Sequence, residues 1–246
     1  MKLRVIIPAA GKGTRLSIDE NDAPKAMRIC GGRPLLETVL KNVDFIRPED
    51  TYIVVGYKKE CITDYFGGAY NYVEQTEQLG TGHAVMCCAE QFRDFDGTVL
   101  VTFGDMPLFR REDLYAMCCR HEESGAACTL MTAENPDLTL WARVVRDAAG
   151  DFAAIVEGKD CTPEQARISE LFSGVLAFDS RALFETLPLV DRRNVQHEYY
   201  LTEAPELMLR RGMRVETFRI DDGEALRGVN TPEDLAVCDR ILAAAT

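Results

Sequence analysis

Two kinds of hydrophobic pattern alternate over the first 135 residues. Short, nearly unbroken apolar runs at Leu3–Pro8, 52–57 and 98–103 have the character of strands buried on both faces of a parallel sheet. Between them lie stretches with apolar residues three and four positions apart, the spacing of an amphipathic helix. Leu35, Leu36, Val39, Leu40 and Val43 mark one helix within 34–46, and others are predicted over 58–66, 81–92 and 111–121. Residues 70–73 and 126–132 read as further strands. Strands alternating with helices imply right-handed βαβ units. The expected fold class is therefore α/β, with a Rossmann-like, mostly parallel sheet.

The rhythm changes after residue 135. Residues 141–146 and 152–157 read as paired strands around the turn Ala148-Ala149-Gly150-Asp151, and 171–178 as another strand. Thr162-Pro163-Glu164-Gln165 has the form of an N-cap followed by proline at the first helical position. A helix is predicted over 198–211, bent or restarted at Pro205, then a strand over 214–220. Thr231-Pro232-Glu233-Asp234 caps a last helix reaching about Ala244. No repeat, linker or low-complexity stretch interrupts the chain. One domain over 1–246 is expected, its irregular β-containing part, 136–246, covering one side of the sheet built by 1–135.

Composition narrows the possibilities. Hydrophobic residues make up 46% and charged residues 28% of the 246, an ordinary globular balance. No run reaches the ~18 to 20 apolar residues that cross a bilayer. The amino terminus reads as a strand rather than a signal peptide, so a cytoplasmic location is expected. Nine cysteines lack any C-x-x-C spacing, and two adjacent pairs, Cys87-Cys88 and Cys118-Cys119, fall in helical pattern. That fits reduced thiols rather than a disulfide framework or a zinc site. A net charge of −12 disfavours nucleic acid and anionic membranes as partners. Lys12, Arg15, Lys25, Arg28 and Arg33 nevertheless form a basic island in this acidic chain.

Candidate chemistry gathers at strand ends. Ala9-Ala10-Gly11-Lys12-Gly13-Thr14-Arg15-Leu16 follows the first strand. Small residues and glycines let backbone amides approach a phosphate closely, and Lys12 with Arg15 can hold a polyphosphate. The spacing is not that of a P-loop, and Leu16 stands where a dinucleotide fingerprint has its third glycine. An ordinary tight turn with solvated charges accounts for the same residues. Lys25, after Pro24, offers a point charge suited to a phosphorus under attack. Gly104-Asp105 closes the strand over 98–103, where a carboxylate suits magnesium or simply makes a turn. Asn230 offers a neutral oxygen for the same ion, although on spacing alone punctuation before the last helix is the better explanation. Gln75 to Ala84 carries amide side chains that match a nucleobase edge, and a Gly80-Thr81-Gly82 helix entry. His83 within it reads as a cap residue with no partner to make it a base.

Together these segments resemble the sugar-nucleotide pyrophosphorylase superfamily of nucleotidyltransferases. More narrowly they are similar to the uridylyltransferase domain of bacterial N-acetylglucosamine-1-phosphate uridylyltransferases. The narrower likeness rests on Glu77-Gln78-Leu79-Gly80-Thr81-Gly82-His83-Ala84, Ile155-Val156-Glu157 with Lys159-Asp160, Glu198-Tyr199-Tyr200-Leu201-Thr202 and Gly228-Val229-Asn230. The resemblance implies that Pro8, Ala9, Ala10, Gly11, Lys25 and Gln75 contact the nucleotide, Gln75 facing uracil. It implies that Gly80 and Thr81 touch the base or ribose, and that Phe103 and Gly104 line the site. Asp105 and Asn230 would bind Mg2+, and Glu157 would hydrogen-bond the sugar. Residues 1–135 would then be the nucleotide-binding half and 136–246 the sugar-binding half.

Departures from the family pattern fall on the sugar side. Ala142 precedes Arg143 where the family has glycine, and Phe172-Ser173-Gly174 replaces Asn-Thr-Gly. A phenyl ring in place of an amide removes hydrogen bonds worth on the order of 1 to 3 kcal/mol where a buried partner expects them. The chain stops after the terminal helix without hexapeptide repeats, so neither acetyltransferase activity nor the trimerisation of such repeats is expected. The expected partners are small molecules, UTP or another nucleoside triphosphate and a sugar 1-phosphate, acting on a monomer or small homo-oligomer. The alternatives are transfer to another phosphorylated acceptor from CTP or dTTP, and a regulatory protein that binds nucleotide sugars without turnover.

Overall fold

A computed structural model describes residues 1–16 and 23–244. In chain order the strands and helices are β1 (Leu3–Pro8), a short hairpin of β2 (Ile29–Cys30) and β3 (Arg33–Pro34), α1 (Leu35–Asn42), β4 (Thr51–Val55) and α2 (Glu60–Phe66). They continue with β5 (Asn71–Glu74), α3 (Thr81–Met86), β6 (Thr98–Val101), α4 (Arg111–Ser124), β7 (Cys128–Glu134), β8 (Arg143–Arg146) and β9 (Phe152–Val156). The last are β10 (Glu170–Asp179), α5 (Ser180–Thr186), α6 (Ala204–Arg210), β11 (Val215–Arg219) and α7 (Pro232–Ala244). The main sheet runs β11-β7-β10-β6-β1-β4-β5, with the β8–β9 hairpin joined to β10.

The alternation of side chains along β1 explains how one sheet carries two cores. Val5 and Ile7 point to one face with Ile53, Val55 and Leu100, where Leu36 and Val39 of α1 and Leu114 and Met117 of α4 cover them. Ile6 points the other way with Val54, Val99 and Val101, beneath Val85 of α3, Leu183 of α5 and Met208 of α6. Each fully buried aliphatic side chain contributes about 1.5 to 3 kcal/mol. A strand clad on both faces can therefore be apolar throughout, and this is the run seen in the sequence. β1 pairs in parallel with β4 and β6, and β4 with β5.

The second half does not merely cover one side of the sheet. β10 inserts antiparallel between β6 and β7, and β11 extends the far edge beside β7. Two helices also differ from expectation. The segment over 81–92 is helical only to Met86 before a separate 3-10 turn at Ala89–Phe92. Over 198–211, α6 starts beside Pro205, whose missing amide hydrogen costs nothing in a first turn, while 198–200 stays outside any helix. Gln165 N donates to Thr162 Oγ1 at 3.2 Å and Gln165 Oε1 accepts from Thr162 N at 2.9 Å, a capping box that starts only a short 3-10 turn. All nine cysteines are free thiols.

Candidate functional site

A cavity of about 530 Å³ opens at the carboxyl ends of the parallel strands. Open α/β sheets present ligands there because the loops diverge from the strand ends. Pro8 closes β1, Gln75 follows β5, and Phe103, Gly104 and Asp105 follow β6; all of them line the cavity. Gly104 N donates to Pro8 O at 3.1 Å, tying two of these loops together.

The glycine-rich loop forms one wall, through Ala9, Ala10, Gly11, Gly13, Thr14 and Arg15. Gly13 has φ +66°, and a Cβ there would come within 2.7 Å of Lys25 Cβ, so only glycine lets the loop lie against the Lys25 stem. Leu16, 4% exposed, anchors the loop in a small core with Cys30, Leu35, Val229 and Cys238. Its role as an anchor explains why a third glycine is absent. Lys12 is not in the wall: its Nζ stands 5.5 Å from the centre of the Tyr57 ring.

Lys25 organises the centre. Its ammonium donates to Asp105 Oδ2 in an ion pair and to Asn230 Oδ1 at 2.8 Å. Val229 N donates to Asp105 O at 3.0 Å, and this single backbone bond carries Asn230 to the end of β6. Helix punctuation is the task of the neighbouring residue. Asp234 N donates to Thr231 Oγ1 at 3.2 Å, while Asp234 Oδ2 accepts from Asn230 N at 3.0 Å and Thr231 N at 2.9 Å. The Asn230 side chain is thus released to turn its oxygen toward the cation. Among the described residues no group of three or more His, Cys, Asp or Glu is arranged to hold a metal ion. The oxygens of Asp105 and Asn230 nonetheless meet at one cationic point.

The opposite wall belongs to the loop before α3. Gln75, 4% exposed, donates from Nε2 to Gly80 O at 3.1 Å, and the same nitrogen lies 3.0 Å from His83 Nδ1. Tyr199 N donates to Leu79 O and Gly82 N to Tyr199 O, each at 2.8 Å, while Leu201 N donates to Thr81 Oγ1 at 3.1 Å. Tyr199 and Leu201 thus lace this loop, which keeps the chain before Leu201 out of the helix. Gly80 has φ +111°, and a Cβ would sit 2.7 Å from Tyr199 O. Gly80→Ala is expected to lower stability by about 2 kcal/mol or more, from the strained backbone and the lost lacing. Urea unfolding checks this, and an unchanged midpoint would show that the loop relaxes freely.

The sugar-side expectations fare differently. Ala142 and Phe172 are 7% and 5% exposed and belong to the apolar core, outside the cavity wall. Phe172 N donates to Ala142 O at 2.9 Å, so the two positions are adjacent and bury together. A ring without a polar partner gains more by leaving water than by facing a hydroxylated ligand. Glu157 also lies behind the wall, accepting from Thr202 Oγ1 at 2.9 Å. Burial pushes its carboxyl above the ordinary range, against the opposing pull of Thr202. Lys159, Gln196 and Glu198 line the cavity instead, with Lys159 Nζ donating to Gln196 Oε1. Lys159 and Glu198 fall in segments that carry the family resemblance, but nothing in the sequence marks Gln196.

The sheet order and the strand-end cavity are those of an α/β fold that receives ligands at the carboxyl ends of its parallel strands. The model of the MobA-like NTP transferase domain matches residues 5–168, and the chain belongs to that family. It is 37% identical over 237 residues to the bifunctional protein GlmU of Enterococcus faecalis, covering 96% of this chain and 51% of that one. Its identity to the bifunctional protein GlmU of Alkaliphilus metalliredigens is 38% over 242 residues, covering 98% and 52%. The chain thus spans about half the length of these relatives. A UDP-glucose pyrophosphorylase complexed with UDP-glucose superposes with a TM-score of 0.79 at 17% identity, each chain covered in full. An apo UDP-glucose pyrophosphorylase gives 0.81 at 16%, covering 100% of this chain and 99% of that one. At such identity the likeness is one of fold. Among the described residues no helix is long and apolar enough to cross a membrane.

Proposed function

We propose that the chain transfers the uridylyl group of UTP to a sugar 1-phosphate, N-acetylglucosamine 1-phosphate or a related sugar, and releases pyrophosphate. The observation that carries this reading is the meeting of Asp105 and Asn230 on one cation beside the glycine-lined loop. The relatives named bifunctional protein GlmU and the fold shared with UDP-glucose pyrophosphorylases support it. Residues 1–135 serve the nucleotide and 136–246 the sugar, within one catalytic unit.

An oxygen of the sugar 1-phosphate attacks the α-phosphorus of UTP. The bond from that phosphorus to the oxygen leading to the β-phosphorus breaks, and pyrophosphate departs with the electron pair. No general base is needed because the nucleophile is already anionic, so positioning and electrostatics carry the rate. Amides of Gly11, Gly13 and Thr14 with the Arg15 guanidinium hold the β- and γ-phosphates, and Lys12 adds its charge from outside the wall. Lys25 supplies positive charge where it is needed as the α-phosphorus becomes crowded with oxygen. Pro8, Ala9, Ala10, Phe103 and Gly104 shape the floor, and Gln75, Gly80 and Thr81 receive the base and ribose. Asp105 and Asn230 offer the carboxylate and carbonyl oxygens that a hard ion prefers, so Mg2+ fits them and would, when bound, neutralise phosphate charge.

A second reading, transfer to a different phosphorylated acceptor, is favoured by the sugar side alone. Phe172 and Ala142 shape that side from behind the wall and offer it no polar group, and Glu157 is engaged with Thr202. Pyrophosphate release from UTP, CTP and dTTP, each against a panel of sugar 1-phosphates and phosphorylated alcohols, separates the two. UTP with a hexosamine or hexose 1-phosphate is expected to be the best pair. Turnover only with a phosphorylated alcohol would replace the first reading by the second, and nucleotide binding without any turnover would indicate a regulatory protein.

A further inference from the structure

Gln75 and His83 together fix which way one amide points. A glutamine amide carries two N–H donors on nitrogen and an acceptor oxygen. In Gln75 one end of this group lies 3.1 Å from Gly80 O and 3.0 Å from His83 Nδ1. A backbone carbonyl can only accept, so that end is the NH2 group however the amide is drawn. Its second hydrogen points to His83 Nδ1, which must therefore carry a lone pair, leaving the imidazole proton on Nε2. Both donors of Gln75 are then engaged, and Oε1 is the polar atom that it offers to the cavity. The imidazole is itself held in place. Its ring lies beside Tyr199, 6.2 Å between centres at 28°, and the helix entry beneath it is laced to residues 199–201.

We propose that His83 is a positioning residue that keeps Gln75 an acceptor and thereby selects a nucleobase with a ring N–H. This rests on the nucleotide reading above. Uracil carries a hydrogen on N3, whereas cytosine has a lone pair there, and two lone pairs facing each other in a 4%-exposed setting repel. With hydrogen on Nδ1 instead, His83 would oppose the Gln75 NH2. The amide would then turn over, abandon Gly80 O and present its donors to the base. The Gln75 amide is thus held twice, by Gly80 O and by the lone pair of His83 Nδ1, and the second hold comes from an imidazole outside the cavity wall.

The chain has three histidines, so 15N–1H correlation of the imidazoles at mildly alkaline pH can read the tautomer directly, with His83 assigned from the His83→Phe spectrum. An unprotonated Nδ1 is expected, and a protonated Nδ1 overturns the inference. Binding of UTP and CTP by calorimetry gives the functional arm. His83→Phe keeps a flat ring beside Tyr199 and leaves Gly80 O in place but removes the second acceptor, and should reduce the UTP preference by about threefold to tenfold. His83→Asn, whose Oδ1 can accept, should recover part of that preference. A wild type selective for UTP whose His83→Phe variant keeps its selectivity overturns the inference alone. A wild type indifferent to the base overturns the nucleotide reading and the inference with it. Should the Phe variant fail to fold, the wild-type tautomer and the Asn variant decide. Binding is independent of turnover, so failure to find the acceptor leaves this test standing.

Discussion

Asp105→Ala is expected to slow pyrophosphate release at least about a thousandfold while the protein stays folded. The carboxylate is part-exposed at the mouth of the cavity, and its side chain belongs to no apolar cluster. Its backbone contributes to the architecture through Val229 N, and that bond survives truncation. Lys25 keeps its bond to Asn230 and reaches water through the cavity, so the stability cost should stay near 1 to 2 kcal/mol rather than the penalty of a sealed ion pair. Asp105→Asn, which preserves shape but not charge, should be nearly as slow. A pyrophosphate-release assay paired with thermal unfolding checks both, and turnover near the wild-type rate by either variant would end the metal and catalytic roles given to Asp105.

Lys25→Met should reduce kcat by about a hundredfold to a thousandfold, with a smaller effect on KM for UTP. Methionine keeps much of the stem that packs against Gly13, so the loop has no reason to move. What disappears is the ammonium between Asp105 and Asn230, leaving two oxygens to face each other without a cation. Arginine is not a substitute, because a planar fork cannot occupy the point where these two oxygens converge. Steady-state kinetics would decide the matter, and a kcat within threefold of wild type would show that the lysine only holds the resting site together.

Much of this arrangement could be read before any coordinates. The strands at 3–8, 52–57 and 98–103 were legible because burial on both faces makes them apolar without interruption. The positions of the glycine loop, Gln75, Asp105 and Asn230 followed from strand ends and from the family resemblance. The neighbour order of β10 was hidden, since an apolar run carries no mark of the strand it will lie beside. Pro205 was ambiguous because proline suits both a kink and a helix start, and only the bonds of Tyr199 and Leu201 to residues 79–82 decide for the start. Phe172 and Ala142 were visible as departures, but whether they faced a ligand or the core depends on the side of β10 to which Phe172 turns and on Ala142 lying beside it. His83 shows no partner in the linear sequence, because Gln75 comes within reach only when the loop folds back on itself.

The insertion of β10 between β6 and β7 also sets an order of events during synthesis. β6 is made before β10, so the edge that β10 covers in the finished sheet cannot yet be closed by it when β1 and β6 are already available to pair. Such a bare edge, apolar on both faces, is where nascent chains stick to one another. Lys25 waits longer still, for a partner 205 positions downstream in Asn230. On the function proposed above, half-made chains would carry the glycine-rich loop and the Asp105 carboxylate yet lack the Asn230 oxygen, and would remain chemically silent until the last helix docks.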